Sequence, residues 1–305
     1  MDATFSFLPR ETEQIKARFG EAFYKESISR LQQYAEKWAL SSLAFIPSYS
    51  ANLVFTCMSK AHGPSVLKLA NPAFGTMAAE YGALREYGGG RYCQVYEADS
   101  EGNALLLERI RPGRPLRDES SLDTRLSVFC SLYEGLHIPS SDPDRYPTYD
   151  GWATRITDEM SRRPEWAKLY AHMKRAEQIC LSLSAVYSRK MLLHGDLHHD
   201  NMLLGEGGRY VIIDPKGVVG DPVFDVPRFV LNEFGDDITD ELYGKITGIL
   251  AVLERRLRIP LETLKQCLYV ETVMGLCWSA EDGAGEEERS SMLATAAFAE
   301  AVLNG

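Results

Sequence analysis

The chain has 305 residues, of which 45% are hydrophobic and 25% are charged, and its formal net charge at pH 7 is −10. Its length and apolar content are enough for two domains or for one large unit with two lobes. The acidic balance argues against binding of nucleic acid, which needs a basic surface. It is compatible with a cationic small molecule as partner, and equally with a charge that serves only to keep the protein in solution.

The expected compartment is the cytoplasm. No apolar run reaches the roughly 18 residues that a membrane-spanning helix needs, so no membrane partner is expected. The N-terminal residues lack the basic segment and apolar run of a signal peptide. The six cysteines have neither metal-binding nor disulfide-framework spacing, which fits a reducing environment.

The N-terminal third is predicted to contain helices followed by an antiparallel sheet. Over residues 10–39, apolar side chains recur at helical spacing, which predicts one or two helices. Residues 43–70 are rich in strand-forming residues, and residues 93–98 and 104–110 form a further pair of expected strands. Between these two groups of strands, residues 76–87 have a helical pattern.

An ion pair is predicted within this region. Lys68 lies inside an apolar strand, where a charged group needs a partner. Glu80, in the helix that follows, is the favoured partner, and Glu86 is the alternative. A lysine on an edge strand whose amine reaches solvent would give the same pattern without any function.

The rest of the chain is predicted to be mostly helical, with one segment of short strands. Helical patterns occupy residues 120–136, 152–160, 165–189, 221–234, 236–257, 261–279 and 287–303. The segment 137–150 is rich in proline, serine and aspartate and is expected to be a loop. Apolar runs at 191–193, 202–204 and 210–213 flank the polar residues 194–201, which should therefore form a loop between strands.

This polar loop carries residue types suited to phosphoryl transfer. Asp196 and Asn201 stand five residues apart, and Asp214 follows thirteen residues after Asn201, at the end of an apolar run. Transfer of the ATP γ-phosphoryl group needs a carboxylate to receive the proton of the acceptor hydroxyl, and oxygen ligands for Mg²⁺. Asp196 is assigned to the first role, and Asn201 and Asp214 to the second.

The N-terminal region would supply the nucleotide contacts of such a site. Lys68, held by Glu80, would reach the phosphates of ATP. The turn at residues 47–51, which has no glycine, would cover these phosphates through Ser48, Ser50 and their backbone amides. The backbone groups of Glu108 and Ile110 are expected to hydrogen-bond to adenine.

Metal-dependent hydrolysis is a rival interpretation of the loop. Imidazole and carboxylate groups that can bind Zn²⁺ cluster here, at His194, Asp196, His198, His199 and Asp200. The helical His-Glu-x-x-His pattern is missing, and zinc leaves Asn201 and the Ile-Ile-Asp element unexplained. In a further alternative, the polar residues of this loop only cap and form turns and have no catalytic role. This alternative is disfavoured because several separately spaced sequence elements all fit the same phosphoryl-transfer site.

At these residues the chain resembles the aminoglycoside phosphotransferase family, and within it the branch of streptomycin 6-kinases and hydroxyurea phosphotransferases. Residues 194–201 read His-Gly-Asp-Leu-His-His-Asp-Asn, and residues 213–225 read Ile-Asp-Pro-Lys-Gly-Val-Val-Gly-Asp-Pro-Val-Phe-Asp. The Asp-Pro-Lys-Gly element indicates this branch. The resemblance is strong over about residues 190–232, looser over 35–115 and weak elsewhere.

The resemblance implies a protein-kinase-like fold and the same roles for the three residues assigned above. It also implies that His194 braces the loop rather than binding a metal. Asp221 and Asp225 would brace the catalytic loop and the helix that follows. The alternative for these two aspartates is simple capping of turns.

We therefore expect an α+β, bilobal, protein-kinase-like fold. Residues 1–110 would form a β-rich N-lobe that binds ATP, and residues 111–305 a mainly helical C-lobe with the catalytic loop and the acceptor-binding helices. The expected activity is ATP- and Mg²⁺-dependent phosphorylation of a hydroxyl group on a small, cationic molecule, with an aminoglycoside such as streptomycin favoured. The alternatives are a metabolic kinase of choline or sugar type and a nucleotide-binding regulator without turnover. The sequence predicts neither the exact acceptor nor the oligomeric state.

Overall fold

The computed structural model describes residues 5–47, 52–71, 77–235 and 237–305. The chain divides into two compact units. The first comprises Met1–Gly113 and Leu204–Val211, and the second comprises Arg114–Leu203 and Ile212–Gly305. The limits of the functional domains, 1–110 and 111–305, stay a prediction.

The first unit contains a five-stranded antiparallel sheet and two helices. The helices are α1 (Pro9–Lys37) and α2 (Ala78–Tyr87). The strands are β1 (Leu40–Ile46), β2 (Asn52–Ser59), β3 (Gly63–Ala70), β4 (Val95–Asp99) and β5 (Ala104–Glu108), in the order β1-β2-β3-β5-β4. Helix α1 is interrupted at Gly20, whose positive φ of 85° suits glycine. The five strands of the sheet correspond to the segments predicted to be strands.

The core of this unit lies between the sheet and α1. Alternate residues of a strand point to the same face. The apolar residues buried in this core are Leu53, Phe55 and Cys57 of β2, Leu67 and Leu69 of β3, and Ile15, Phe23, Leu31 and Tyr34 of α1. Arg30 fastens α1 to the sheet, because its guanidinium donates to the carbonyl oxygens of Ala70 (2.8 Å) and Gly102 (2.6 Å). Lys68 is paired in register with Val54 on β2 and Leu105 on β5, so it occupies a central strand.

The second unit is mainly helical. Its helices are α3 (Leu122–Tyr133), α4 (Tyr149–Met160), α5 (Ala167–Val186), α6 (Pro227–Leu231), α7 (Asp240–Leu257), α8 (Leu261–Glu281) and α9 (Glu286–Asn304). The remaining strands within the described ranges are β6 (Arg114–Pro115), β7 (Ile138–Pro139), β8 (Met191–Leu193), β9 (Met202–Leu204), β10 (Tyr210–Ile212) and β11 (Val218–Gly220). They form two short sheets, in the orders β10-β9-β6 and β11-β8-β7.

Two segments differ from the prediction. The helix expected over 221–234 is a 3₁₀ turn at Pro222–Asp225 followed by the short helix α6. The two prolines, Pro222 and Pro227, lack an N–H group and favour the first turn of a helix, so each starts a new element. The loop expected over 137–150 contains β7, which pairs with β8.

The architecture is the predicted combination of an antiparallel sheet unit and a helical unit. Helix α8 is the central element of the second unit, since 12 of its 21 residues are buried. Within the described ranges, no helix is long and apolar enough to cross a membrane.

Candidate active site

The polar loop connects β8 to β9 and is held in place by Asp225. The Asp225 carboxylate accepts the backbone N–H groups of His194 and Gly195, both at 2.7 Å, and lies 2.9 Å from His137 Nε2. Burial alone would raise the pKa of Asp225, but the hydrogen bond from His137 and the bond from Gly195 keep this pKa below its usual value. Asp225 is thus an ionised brace for the start of the loop.

His194 is a structural residue of the loop. Its Nδ1 accepts the backbone N–H of Asp196 at 3.0 Å, and its Nε2 lies 2.9 Å from the carbonyl oxygen of Ile213. These partners require the neutral tautomer with the proton on Nε2. Burial lowers the pKa of His194, which favours the same neutral form. With both ring nitrogens engaged, His194 is unavailable as a zinc ligand.

The carboxylate of Asp196 has two differently placed oxygens. Oδ1 accepts a hydrogen bond from Arg228 Nε at 2.8 Å. Oδ2 lies 3.7 Å from Lys216 Nζ and 3.8 Å from His198 Nε2, beyond ordinary hydrogen-bonding distance. Burial would raise the pKa of Asp196, but the positive charge of Arg228, with His198 and Lys216, keeps this pKa below its usual value. Asp196 is therefore ionised at neutral pH and can accept a proton.

Asn201 and Asp214 each carry a side-chain oxygen suited to a cation. The Asn201 amide nitrogen donates to the backbone carbonyl of Asp196 at 3.0 Å, so its Oδ1 is the atom suited to a metal. The N–H of Ile213, which precedes Asp214, donates to the Asn201 carbonyl at 2.9 Å. Asp214 has a φ of 59°, a strained backbone conformation that is common at functional sites. One amide oxygen and one carboxylate fit Mg²⁺, which usually keeps waters and substrate phosphates as its other ligands.

A zinc site has no support in the structure. Within the described ranges, no group of three or more histidine, cysteine, aspartate or glutamate side chains is arranged to hold a metal ion. His199 is directed to another partner, because its Nε2 lies 2.9 Å from Glu233 Oε1. Asp200 forms a two-bond ion pair with Arg117 instead.

In the first unit, Lys68 and Glu80 form a buried ion pair. Lys68 Nζ, on β3, lies 2.6 Å from Glu80 Oε1, on α2, and the two side chains are 5% and 8% exposed. Their predicted role in nucleotide binding stays a prediction. Ser48 and Ser50, predicted to contact the phosphates, lie outside the described residues.

The predicted adenine contacts lie at the end of β5. The backbone N–H of Glu108 donates to the carbonyl of Gln94 at 2.8 Å, and the N–H of Gln94 donates to Glu108 Oε2 at 3.1 Å. Because this N–H is used within the fold, a contact from Glu108 to adenine would have to use its carbonyl oxygen. Ile110 is a buried residue just beyond the strand, and its role stays a prediction.

Sequence reasoning missed Arg228, which contacts Asp196, and Glu271, which contacts Arg228. Arg228 Nε is 3.4 Å from Glu271 Oε1 as well as hydrogen-bonded to Asp196. Both residues occur within apolar runs of the sequence, Arg228 beside Phe229 and Glu271 beside Val270. A charged residue within an apolar run of a helix usually needs a partner, and that signal was available, as it was for Lys68.

Sequence reasoning also missed Glu233, which braces the other side of the loop. Its carboxylate contacts Arg125 Nε at 2.6 Å, His199 Nε2 at 2.9 Å and Lys245 Nζ at 3.0 Å. Burial would raise the pKa of Glu233, but the hydrogen bonds from His199, Arg125 and Lys245 place this pKa well below its usual range. Glu233 therefore stays ionised and fixes His199.

Comparison with known proteins identifies relatives that match most of the chain. The model of the family described as aminoglycoside/hydroxyurea antibiotic resistance kinase matches residues 37–283. A hydroxyurea phosphotransferase of Kitasatospora aureofaciens is 27% identical over 285 residues, covering 90% of this chain and 81% of that protein. A streptomycin 6-kinase of Streptomyces griseus is 28% identical over 205 residues, covering 63% and 62%.

Solved structures with similar folds are also kinases. A choline kinase from Cryptosporidium parvum superposes with a TM-score of 0.65 at 13% identity, covering 97% of this chain and 96% of that one. The aminoglycoside phosphotransferase APH(4)-Ia, in a ternary complex with ADP and hygromycin B, gives a TM-score of 0.58 at 15% identity, covering 90% and 97%. At these identities the similarity shows the fold alone, and that fold is protein-kinase-like as predicted.

Proposed function

Because the chain belongs to the aminoglycoside/hydroxyurea antibiotic resistance kinase family, it is a small-molecule phosphotransferase, and we propose that Asp196, Asn201 and Asp214 are its catalytic apparatus. The observation that carries this assignment is the geometry of Asp196, which is ionised, held through Oδ1 and open at Oδ2. Such a carboxylate can receive the proton of an acceptor hydroxyl.

The proposed reaction proceeds in a single displacement. The acceptor hydroxyl gives its proton to Asp196 Oδ2 while its oxygen forms a bond to the γ-phosphorus, and the bond from that phosphorus to the ADP oxygen breaks. Asn201 Oδ1 and the Asp214 carboxylate would hold Mg²⁺, which neutralises phosphate charge when it is bound. Lys216, half exposed near Oδ2, would place a further positive charge beside the transferred group.

Nucleotide binding would involve the first unit. Lys68, fixed by Glu80, would contact the phosphates of ATP, as an ion-paired lysine does in kinase-like sites. The backbone of Glu108 and Ile110 would contact the adenine, and Ser50 the phosphates. ATP is abundant in the cytoplasm, and the six cysteines are free thiols, so we place the protein there.

For the acceptor we propose a polar, hydroxyl-bearing molecule of the streptomycin class. Streptomycin 6-kinases are among the relatives, and the net charge of −10 suits a cationic acceptor. Hydroxyurea is the second candidate, since a hydroxyurea phosphotransferase aligns with 90% of this chain.

An acceptor panel tests this function. Purified protein with Mg-ATP is offered streptomycin, other aminoglycosides, hydroxyurea, choline and simple sugars, while ADP release and the mass of the product are measured. Acceptor-dependent ADP release together with a phosphorylated aminoglycoside supports the proposal. Phosphorylation of choline or a sugar alone would replace it with a metabolic kinase. ATP binding without turnover of any acceptor would favour a nucleotide-binding regulator.

A further inference from the structure

A partly buried arginine connects the carboxylate of Asp196 to two helices of the second unit. Arg228, on α6, donates from Nε to Asp196 Oδ1 at 2.8 Å, and the same Nε lies 3.4 Å from Glu271 Oε1 on α8. Glu271 is 4% exposed, and its Oε2 accepts the hydroxyl of Tyr149 at 2.5 Å. Tyr149 is the first residue of α4 and is 2% exposed. The order of contacts is therefore Asp196, Arg228, Glu271 and Tyr149.

This chain of polar groups is not required by packing. Removing the Glu271 carboxylate from water almost completely, and Asp196 and Arg228 in part, is unfavourable, and apolar side chains of similar volume are often at least as stable. Burial in fact raises the pKa of Glu271, and the nearby charge of Arg228 only partly offsets it. A role in the chemistry of Asp196 explains the arrangement better than a role in stability.

The contacts of Arg228 distinguish the two oxygens of Asp196. An aspartate side chain can rotate about two bonds, and a general base must present one oxygen to the acceptor in a near-attack geometry. Arg228 engages Oδ1, whereas Oδ2 has Lys216 and His198 only at 3.7 and 3.8 Å. The guanidinium thus selects the oxygen that remains open.

Building on the function proposed above, we propose that Arg228, held by Glu271 and Tyr149, is a positioning residue that fixes the Asp196 carboxylate so that Oδ2 receives the acceptor proton. Arg228 neither gains nor loses a proton in the reaction. The acceptor proton moves to Oδ2, the new oxygen–phosphorus bond forms, and ADP leaves. Glu271 and Tyr149 act through the guanidinium and do not touch the reacting atoms.

Four variants test the proposal by measuring whether kcat changes while the KM for Mg-ATP stays the same. Arg228→Gln removes the charge, Arg228→Lys keeps it, and Tyr149→Phe removes one hydrogen bond to Glu271. Arg175→Gln is the matched control, because it removes an arginine that pairs with Glu300 and Asn304 on α9.

We expect Arg228→Gln to lower kcat by about 10²–10³-fold and to leave the KM for Mg-ATP within about threefold. Arg228→Lys should recover about tenfold or more of that loss, since its amine can still reach towards Oδ1. Tyr149→Phe should lower kcat by about three- to tenfold, and Arg175→Gln should change it less than about twofold. Wild-type kcat in folded Arg228→Gln, or no recovery in Arg228→Lys, would overturn the proposal.

A second measurement separates this inference from the proposed function. If Arg228→Gln does not fold, Tyr149→Phe and Glu271→Gln replace it, and an unchanged kcat in both refutes the positioning role. If the wild-type protein phosphorylates no acceptor, the proposed function fails, and crystal structures of wild type and Arg228→Gln then test the positioning directly. The proposal expects the Asp196 carboxylate to rotate from its wild-type orientation in the variant, and an unchanged orientation would overturn it.

Discussion

The side-chain amide of Asn201 donates to the backbone carbonyl of Asp196 at 3.0 Å. This bond links two residues of the loop that stand five apart. Because it uses the amide nitrogen of Asn201, the amide oxygen is the atom left to bind a cation. One residue is therefore proposed to serve two purposes, since it fixes the backbone of the base and binds Mg²⁺.

Asn201→Ala should lose both contributions. We expect kcat to fall by about 10²-fold and the Mg²⁺ concentration for half-maximal rate to rise several-fold, to about tenfold. The measurement is a Mg²⁺ titration at fixed ATP concentration, with Asn304→Ala as a control on the last turn of α9. An unchanged Mg²⁺ requirement would exclude Asn201 as a ligand.

The Lys68–Glu80 pair allows stability and binding to be separated. Lys68→Met would remove the ammonium group that pairs with the buried carboxylate of Glu80, which should lower the free energy of unfolding by about 3–5 kcal/mol. The double variant Lys68→Met/Glu80→Leu should recover most of this stability, because apolar packing replaces the pair. It should still bind Mg-ATP at least about tenfold more weakly than wild type. Urea unfolding and calorimetric titration with a non-hydrolysable ATP analogue measure the two quantities. Wild-type affinity in the double variant would remove Lys68 from the nucleotide site.

Gly195 is predicted to tolerate no side chain. Its φ is +78°, and a Cβ there would lie 2.8 Å from Val218 Cγ1 and 3.1 Å from Trp152 Cη2. Gly195→Ala should therefore displace the residue that precedes Asp196, lowering kcat by about tenfold or more. Gly207→Ala is the matched control, because its φ is +70° but nothing lies within 4 Å of the added Cβ. Thermal unfolding and kcat of both variants separate backbone strain from displacement of the loop. Equal kcat in the two variants would contradict the prediction.

Acid should weaken the fold partly through Glu233. The pKa of Glu233 is lowered from 4.5 by His199, Arg125 and Lys245, which outweigh the opposing effect of burial. A carboxyl whose pKa is lowered on folding contributes stability above its unfolded pKa, and this contribution is lost as the pH falls towards the folded pKa. Glu233→Gln should thus lower the free energy of unfolding by about 2 kcal/mol at neutral pH and flatten its decline between about pH 5 and pH 3. Urea unfolding across this range tests the prediction. An equally steep decline in wild type and variant would show that Glu233 is not responsible.

Local patterns in the sequence predicted much of the fold, and they indicated the candidate site, whose residue roles stay a prediction. Alternation of apolar residues predicted the sheet around Leu53 and Phe55, which are buried in β2. The spacing of Asp196, Asn201 and Asp214, with apolar strand-forming runs between and beside them, predicted that all three lie at one loop between strands.

Contacts between distant parts of the chain were not predictable in the same way. Arg228 lies 32 residues from Asp196, and Tyr149 lies 122 residues from Glu271. No periodicity encodes such pairings, because the packing of α4, α6 and α8 creates them. The helix predicted over 221–234 was wrong for a local reason, since Pro227 begins a new element within it.

The most direct test of the account is the comparison of Asp196→Asn with wild type, using Mg-ATP and the acceptor that the panel identifies. Acceptor-dependent ADP release and nucleotide affinity are measured in parallel, with the exposed carboxylate of Asp158, replaced in Asp158→Asn, as control. We expect Asp196→Asn to lose at least about 10²-fold in turnover while its nucleotide affinity stays within about twofold of wild type. Wild-type turnover in Asp196→Asn would contradict this expectation.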